Sequence, residues 1–132
     1  MSIPSGAIFS HTMYLTQLEQ TTDSGAKRPA FYNNTGYDIV ITNAYITGIK
    51  GADANHYYTP VLTDQDANTI ASAAWTAIST GTTFTTLGTC STTHGVIPNG
   101  EYVYVQFDQT VTGDSAEDVC ILLNYKFQTP ED

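Results

Sequence analysis

The sequence predicts an all-β chain folded as a two-sheet antiparallel β-sandwich of seven to nine strands behind a short N-terminal arm. Three observations carry that prediction. The polar residues are mostly Thr, Asn, Ser, Gln and Asp, with twenty-two Thr and only four Lys plus Arg in 132 residues. Thr, Val, Ile, Tyr and Phe fit a pleated, half-buried surface, whereas helices are solubilised by Lys, Glu and Arg. Apolar and polar residues alternate with a period of two in several segments, and ten Gly and five Pro punctuate them.

The strands follow in order. Residues 1–12, with Pro4 and Gly6, read as an arm, and residues 13–18 as the first strand. Residues 21–25 are a loop by composition. Residues 28–32 form a short strand that Pro29 confines to a sheet edge or to a strand start. Asn33-Asn34-Thr35-Gly36 is a turn, since Asn and Gly supply positive φ. Residues 37–49 are the longest strand, with Ile39, Ile41, Tyr45 and Ile49 on one face and Val40, Thr42, Ala44 and Ile46 on the other. Both faces are apolar, as in a strand covered on two sides or facing a partner subunit.

Residues 51–55 turn the chain, residues 56–63 form a strand, and residues 64–68 a tight polar loop. Residues 69–80 are Ala-rich, but their Ser and Thr content favours extended structure over a short helix. Residues 82–87 read as a short strand and 88–95 as a loop. After the Pro98-Asn99-Gly100 turn, residues 102–111 place Val103, Val105, Phe107 and Val111 on one face. Residues 113–117 return the chain, and Val119, Ile121, Leu123, Tyr125 and Phe127 line a closing strand. The expected core includes Ile39, Ile41, Val103, Val105, Phe107, Ile121, Leu123 and Phe127. The sandwich domain is expected over residues 13–128, with a tail at 129–132.

At 132 residues the chain is one domain that needs neither disulfide nor metal to fold. A formal charge of −9 argues against nucleic-acid binding, which needs clustered Lys and Arg, and equally against an anionic membrane surface. No apolar run approaches the ~18 residues of a membrane helix. The start lacks the basic and apolar regions of a signal peptide, so the chain is expected to be made in a cytoplasm, with Cys90 and Cys120 as free thiols. Cys90 and His94 are at most half a zinc site.

Neither a catalytic residue nor a cofactor or metal site is expected. Asp64-Gln65-Asp66-Ala67-Asn68 begins like a calcium loop, but Thr69 stands where that motif has Gly and Trp75 where it has its bidentate Glu. It reads as a hairpin turn. His11, His56 and His94 are scattered, and no Gly-x-Ser-x-Gly elbow is present. Glu19, Glu101 and Glu117 sit near strand ends, as solvated carboxylates do. The Tyr residues are the distinctive supply: Tyr102 and Tyr104 alternate with core Val, so they face outward, where a Tyr pair is commonly just a half-buried sheet face, and otherwise serves a protein interface or, less often, a sugar platform. The one basic pair, Lys27-Arg28, reads first as a solvated edge and, more sharply, as an anchor for an acidic partner.

Residues 28–41, RPAFYNNTGYDIVI, and 96–105, VIPNGEYVYV, together with the Thr-rich middle, resemble small jelly-roll proteins of tailed bacteriophages, namely capsid decoration (cement) proteins and related head-fibre or tail modules. The resemblance covers roughly residues 12–127. It implies a jelly-roll homotrimer seated outside an icosahedral head, partnered by the major capsid protein, with no catalytic residues and with the arm reaching a neighbour. Lys27, Arg28, His11, Tyr45, Tyr102 and Tyr104 are the expected interface residues. The alternative is a carbohydrate- or receptor-binding module of a phage head fibre or tail.

Overall fold

The computed structural model describes residues 7–18, 27–50, 58–76, 79–109 and 116–128. The expected loops at 21–25 and 51–55, the end of the expected 102–111 strand, residues 113–115 of the expected return, His56, most of the arm and the tail lie outside them, while residues 116–117 of that return belong to the last strand. Among the described residues there are ten strands: β1 (Phe9–Leu18), β2 (Lys27–Tyr32), β3 (Ile39–Lys50), β4 (Tyr58–Thr63), β5 (Thr69–Ser72), β6 (Ser79–Thr80), β7 (Thr85–Thr86), β8 (Val96–Ile97), β9 (Tyr102–Gln109) and β10 (Ala116–Phe127). No helix occurs among the described residues.

The pairing is nested. β4 pairs with β5 as a hairpin, β3 pairs with β6, β7 and β8 in succession, β2 with β9, and β1 with β10, all antiparallel. A long two-stranded ribbon has thus been folded over on itself. Two cross-pairings, β10 with β3 and β9 with β4, join the ribbon into sheets. The first sheet runs β1-β10-β3 and then β6, β7 and β8; the second runs β2-β9-β4-β5. Winding a ribbon into two facing sheets is the jelly-roll solution to burying one apolar face per sheet.

Seven of the eight expected core residues are buried: Ile39, Ile41, Val103, Val105, Phe107, Ile121 and Leu123. Phe127 is only partly so, and it packs against the core from the rim. Tyr58, Leu62, Ile70 and Trp75 complete the centre. Extended structure holds over Thr69–Ser72, and Trp75 bridges to Tyr58.

Three expectations are corrected. β1 begins at Phe9, so residues 9–12 belong to the sheet and not to an arm. The expected strand at 82–87 shrinks to Thr85–Thr86, because the chain bends through residues 81–83 and only Thr85 and Thr86 pair with β3. The most consequential correction lies in β3. Its core residues are Ile39, Ile41, Ala44 and Ile46, which change parity midway. The register explains this: Asn43 pairs with Asn124 and Ile41 with Tyr125, leaving Thr42 as an extra residue in a bulge. Thr42 donates its hydroxyl to the Asn124 carbonyl there at 3.2 Å. The apparent second apolar face is therefore one face read across a phase shift.

A second bulge sits at the other end of β10, where Asp118 adopts φ +50° and Gly48 opposes two residues. A Cβ at Gly48 would lie 2.9 Å from the Trp75 ring and 3.2 Å from the Glu117 carbonyl. Glycine is required there by close approach, not by backbone torsion.

Candidate functional site

On β9, Val103, Val105 and Phe107 are fully buried, so the alternate residues Tyr102, Tyr104, Gln106 and Asp108 stand on the outer face of the second sheet. Tyr32, on the edge strand β2, lies directly across from Tyr102. The three rings form a row: Tyr32 and Tyr102 are 4.6 Å apart at 39°, and Tyr102 and Tyr104 are 5.7 Å apart and stacked at 22°. Tyr102 and Tyr104, being stacked, each cover part of the other's ring face. The β4–β5 turn borders the row, with the Tyr102 backbone N–H donating to Gln65 Oε1 at 3.2 Å.

That turn is built on Asp64. Its carboxylate accepts from the Asp66 N–H at 3.0 Å, the Asn68 N–H at 2.8 Å and Asn68 Nδ2 at 3.1 Å. Burial pushes the carboxyl pKa up, but these donors and the neighbouring His94 outweigh it and hold the group below its ordinary value. His94 Nδ1 stands 3.6 Å from Asp64 Oδ2, so the 91–95 segment leans on the same carboxylate. The residue types that suggested a cation loop are spent on the turn itself, and no cluster of three metal-ligating side chains occurs among the described residues.

The other expected interface residues are dispersed. Lys27 is exposed and pairs across from Gln106, whereas Arg28 is half-buried beside Val105 on the opposite side of the strand. Tyr45 is half-buried on the outer face of the first sheet, between Leu122 and Thr86. His11 lies at the rim where β1 of one sheet meets β2 of the other, its ring 4.7 Å from Phe31. An aromatic chain continues from there, Phe31 to Tyr125 at 5.3 Å, Tyr125 to Phe9 at 5.6 Å and Phe9 to Phe127 at 5.1 Å. The six residues thus occupy two outer faces, a rim and, for Arg28, the inward side of β2, not one surface.

Sequence reasoning missed Tyr32 and Tyr14. Both alternate with inward residues and are exposed, at 45% and 59%. Tyr14 donates its hydroxyl to Asp118 in the β10 bulge, and that bond, with a small contribution from burial and the carboxylate charge, raises the phenol pKa. Also unforeseen is an open cleft of about 630 Å³ lined by Val40, Thr42, Cys90, Ser91, Val96 and Lys126 among others. Burial raises the Cys90 thiol pKa, which makes it a poor nucleophile at neutral pH. Cys90 and Cys120 are both free.

The fold defined by this nested ribbon is shared with chains of viral shells. A chain in the capsid of Ralstonia phage GP4 matches with a TM-score of 0.58 at 13% identity, over 95% of this chain and 87% of that one. A chain of the cyanophage Pam1 capsid asymmetric unit matches with a TM-score of 0.51 at 12% identity, over 92% of this chain and 84% of that one. At such low identity the likeness is one of fold. No protein-family model matches the chain, and no curated protein matches it in sequence.

Proposed function

We propose that this chain is a non-enzymatic structural component of a phage virion, which decorates and stabilises the outer surface of the capsid as a homo-oligomer. The observation that supports it best is the extent of the likeness: nearly the whole chain superposes on nearly the whole of two chains found in phage capsids. The partners in this reading are further copies of the chain, three to a ring as the resemblance implies, and the major capsid protein. The chain would be made in the host cytoplasm and incorporated at the capsid surface. The −9 charge on each copy opposes association, so apolar and Tyr contacts must outweigh it, and added salt should strengthen assembly by screening.

The close row of Tyr32, Tyr102 and Tyr104, with Tyr102 stacked on Tyr104, favours a protein contact over a sugar platform, because a pyranose needs an open ring face. The test is to incubate purified protein with expanded capsids that lack it and to image them by cryo-electron microscopy. Saturable density at fixed positions on the outer surface is the expected result. Absence of binding, or density confined to the tail or fibres, would overturn the capsid-surface reading.

A further inference from the structure

We propose that the free edge of β1 is a self-association seam, at which β1 of a second copy of this chain pairs antiparallel across a two-fold axis. Every other sheet edge among the described residues is blunted. β2 carries Lys27, Arg28 and Pro29 and a register break between Pro29 and Phe31. β5 is four residues long, and β6, β7 and β8 are two residues each. Short strands, Lys, Pro and bulges are the usual means of preventing edge-to-edge pairing. β1 has none of them. It is ten residues long, its pairing with β10 runs without a register shift, and Phe9–Leu18 contains no charged residue and no Pro.

The core is also unfinished along this edge. Met13 and Leu15 face inward opposite Ile121 and Val119, yet both are only half-buried while their partners are 1% exposed or less. Ile8, just before the strand, is 56% exposed. One more strand would cover that margin.

Charge selects the occupant. With thirteen acidic and four basic residues, two copies repel unless they meet where carboxylates are absent, and β1 is such a stretch. Antiparallel pairing is self-complementary: with Met13 near the axis, His11 of one copy faces Leu15 of the other, and Thr12 faces Tyr14. A two-fold contact also closes on itself instead of propagating. The first sheets of two copies would then form one continuous sheet. The seam joins copies two at a time, so it either makes a dimer or links two three-fold rings, and it holds whether or not the chain decorates a capsid.

Sedimentation of the purified protein over micromolar to millimolar concentration should give a dimer or a hexamer; a monomer or a trimer as the largest species overturns the seam. Thr12→Lys and Thr12→Glu place like charges across the axis from exposed positions on β1, and each alone should weaken association on the order of tenfold. An equimolar mixture of the two should recover it, while Ser72→Lys on the far edge should change nothing. Association that ignores the Thr12 changes, or responds equally to Ser72→Lys, overturns the proposal. Hydrogen exchange of the wild-type protein gives a readout free of variants: amides of residues 9–15 should become more protected as concentration rises, and protection independent of concentration counts against the seam. Capsid binding by a protein that sediments as a trimer and no larger would sink this inference and leave the proposed function standing.

Discussion

Replacing Asn33 tests how the two turns at one end of the sandwich are held. Asn33 is fully buried, a rare place for an amide. Its Nδ2 donates to the Tyr37 carbonyl at 2.9 Å and to the Ile97 carbonyl at 2.8 Å. Its Oδ1 accepts from the Thr35 hydroxyl at 2.7 Å and the Thr35 N–H at 3.2 Å. Its backbone is tied as well, N–H to the Glu101 carbonyl at 2.9 Å and carbonyl to the Gly100 N–H at 2.7 Å. The side chain therefore locks the turn after β2 to the turn before β9. Asn33→Ala removes four bonds and takes the side-chain donor from the Ile97 carbonyl, while the Tyr37 carbonyl keeps the Thr35 hydroxyl at 3.0 Å. At about 1 kcal/mol per net bond, with the penalty for unsatisfied buried groups, the expected loss is about 3–5 kcal/mol. Asn33→Asp keeps the shape and the acceptor but loses both donors and puts a carboxylate against two carbonyl oxygens. It should cost at least as much as Asn33→Ala at pH 7 and recover in part at acid pH, where a protonated acid can donate once. Urea unfolding followed by Trp fluorescence at pH 7 and at pH 3.5 measures both. An Asn33→Asp protein as stable as wild type at pH 7 would refute the donor argument.

Gly48→Ala should cost about 1–3 kcal/mol by overpacking, and should shift the emission of the single Trp, because the new methyl would press on the Trp75 ring. Phe107→Ala, at a fully buried site against Tyr58, should cost about 3–5 kcal/mol in the same denaturant assay. Asp64 has a lowered pKa, so its contribution is present above the ordinary value of 3.8 and is lost as the pH falls through its lower folded value. Asp64→Ala should therefore destabilise by about 1–2 kcal/mol at pH 7 and by clearly less at pH 2.5, measured as the difference in unfolding midpoints. Cys90 and Cys120 are free and half-buried with raised thiol pKa values, so thiol labelling should count two in denatured protein and proceed slowly in native protein at pH 8.

Strict alternation made β9 and the greater part of β10 legible, since β9 keeps one parity throughout and β10 keeps one from Val119 onward, with Val, Ile and Phe marking the inward side; only Ala116, across the Asp118 bulge, lies out of phase. β3 was misread for the same reason that β9 was read correctly. Alternation assigns faces only while the register holds, and Thr42, polar and between two core Ile–x–Ile or Ala–x–Ile pairs, gives no compositional sign of a bulge. The turn at 64–68 was legible because Asp and Asn close such turns with their own side chains. The burial of Asn33 was not, because the same Asn-rich composition describes a solvated turn equally well. Tyr102 and Tyr104 were placed outward by their Val neighbours, whereas the third member of the row, Tyr32, comes from a strand seventy residues earlier and is brought there only by the β2–β9 register.

The nesting of the ribbon orders events during synthesis. The β4–β5 hairpin closes within a few residues, but β1 must wait for β10, roughly a hundred residues downstream, before either of its edges is paired. A topology dominated by such distant pairings folds on the slow side, in milliseconds to seconds. Throughout that wait a ten-residue strand without charge or Pro stands bare on a nascent chain. Crowded polysomes would set many such strands side by side, so yield from expression should respond to translation rate, temperature and chaperone supply more than the stability of the finished sandwich would suggest.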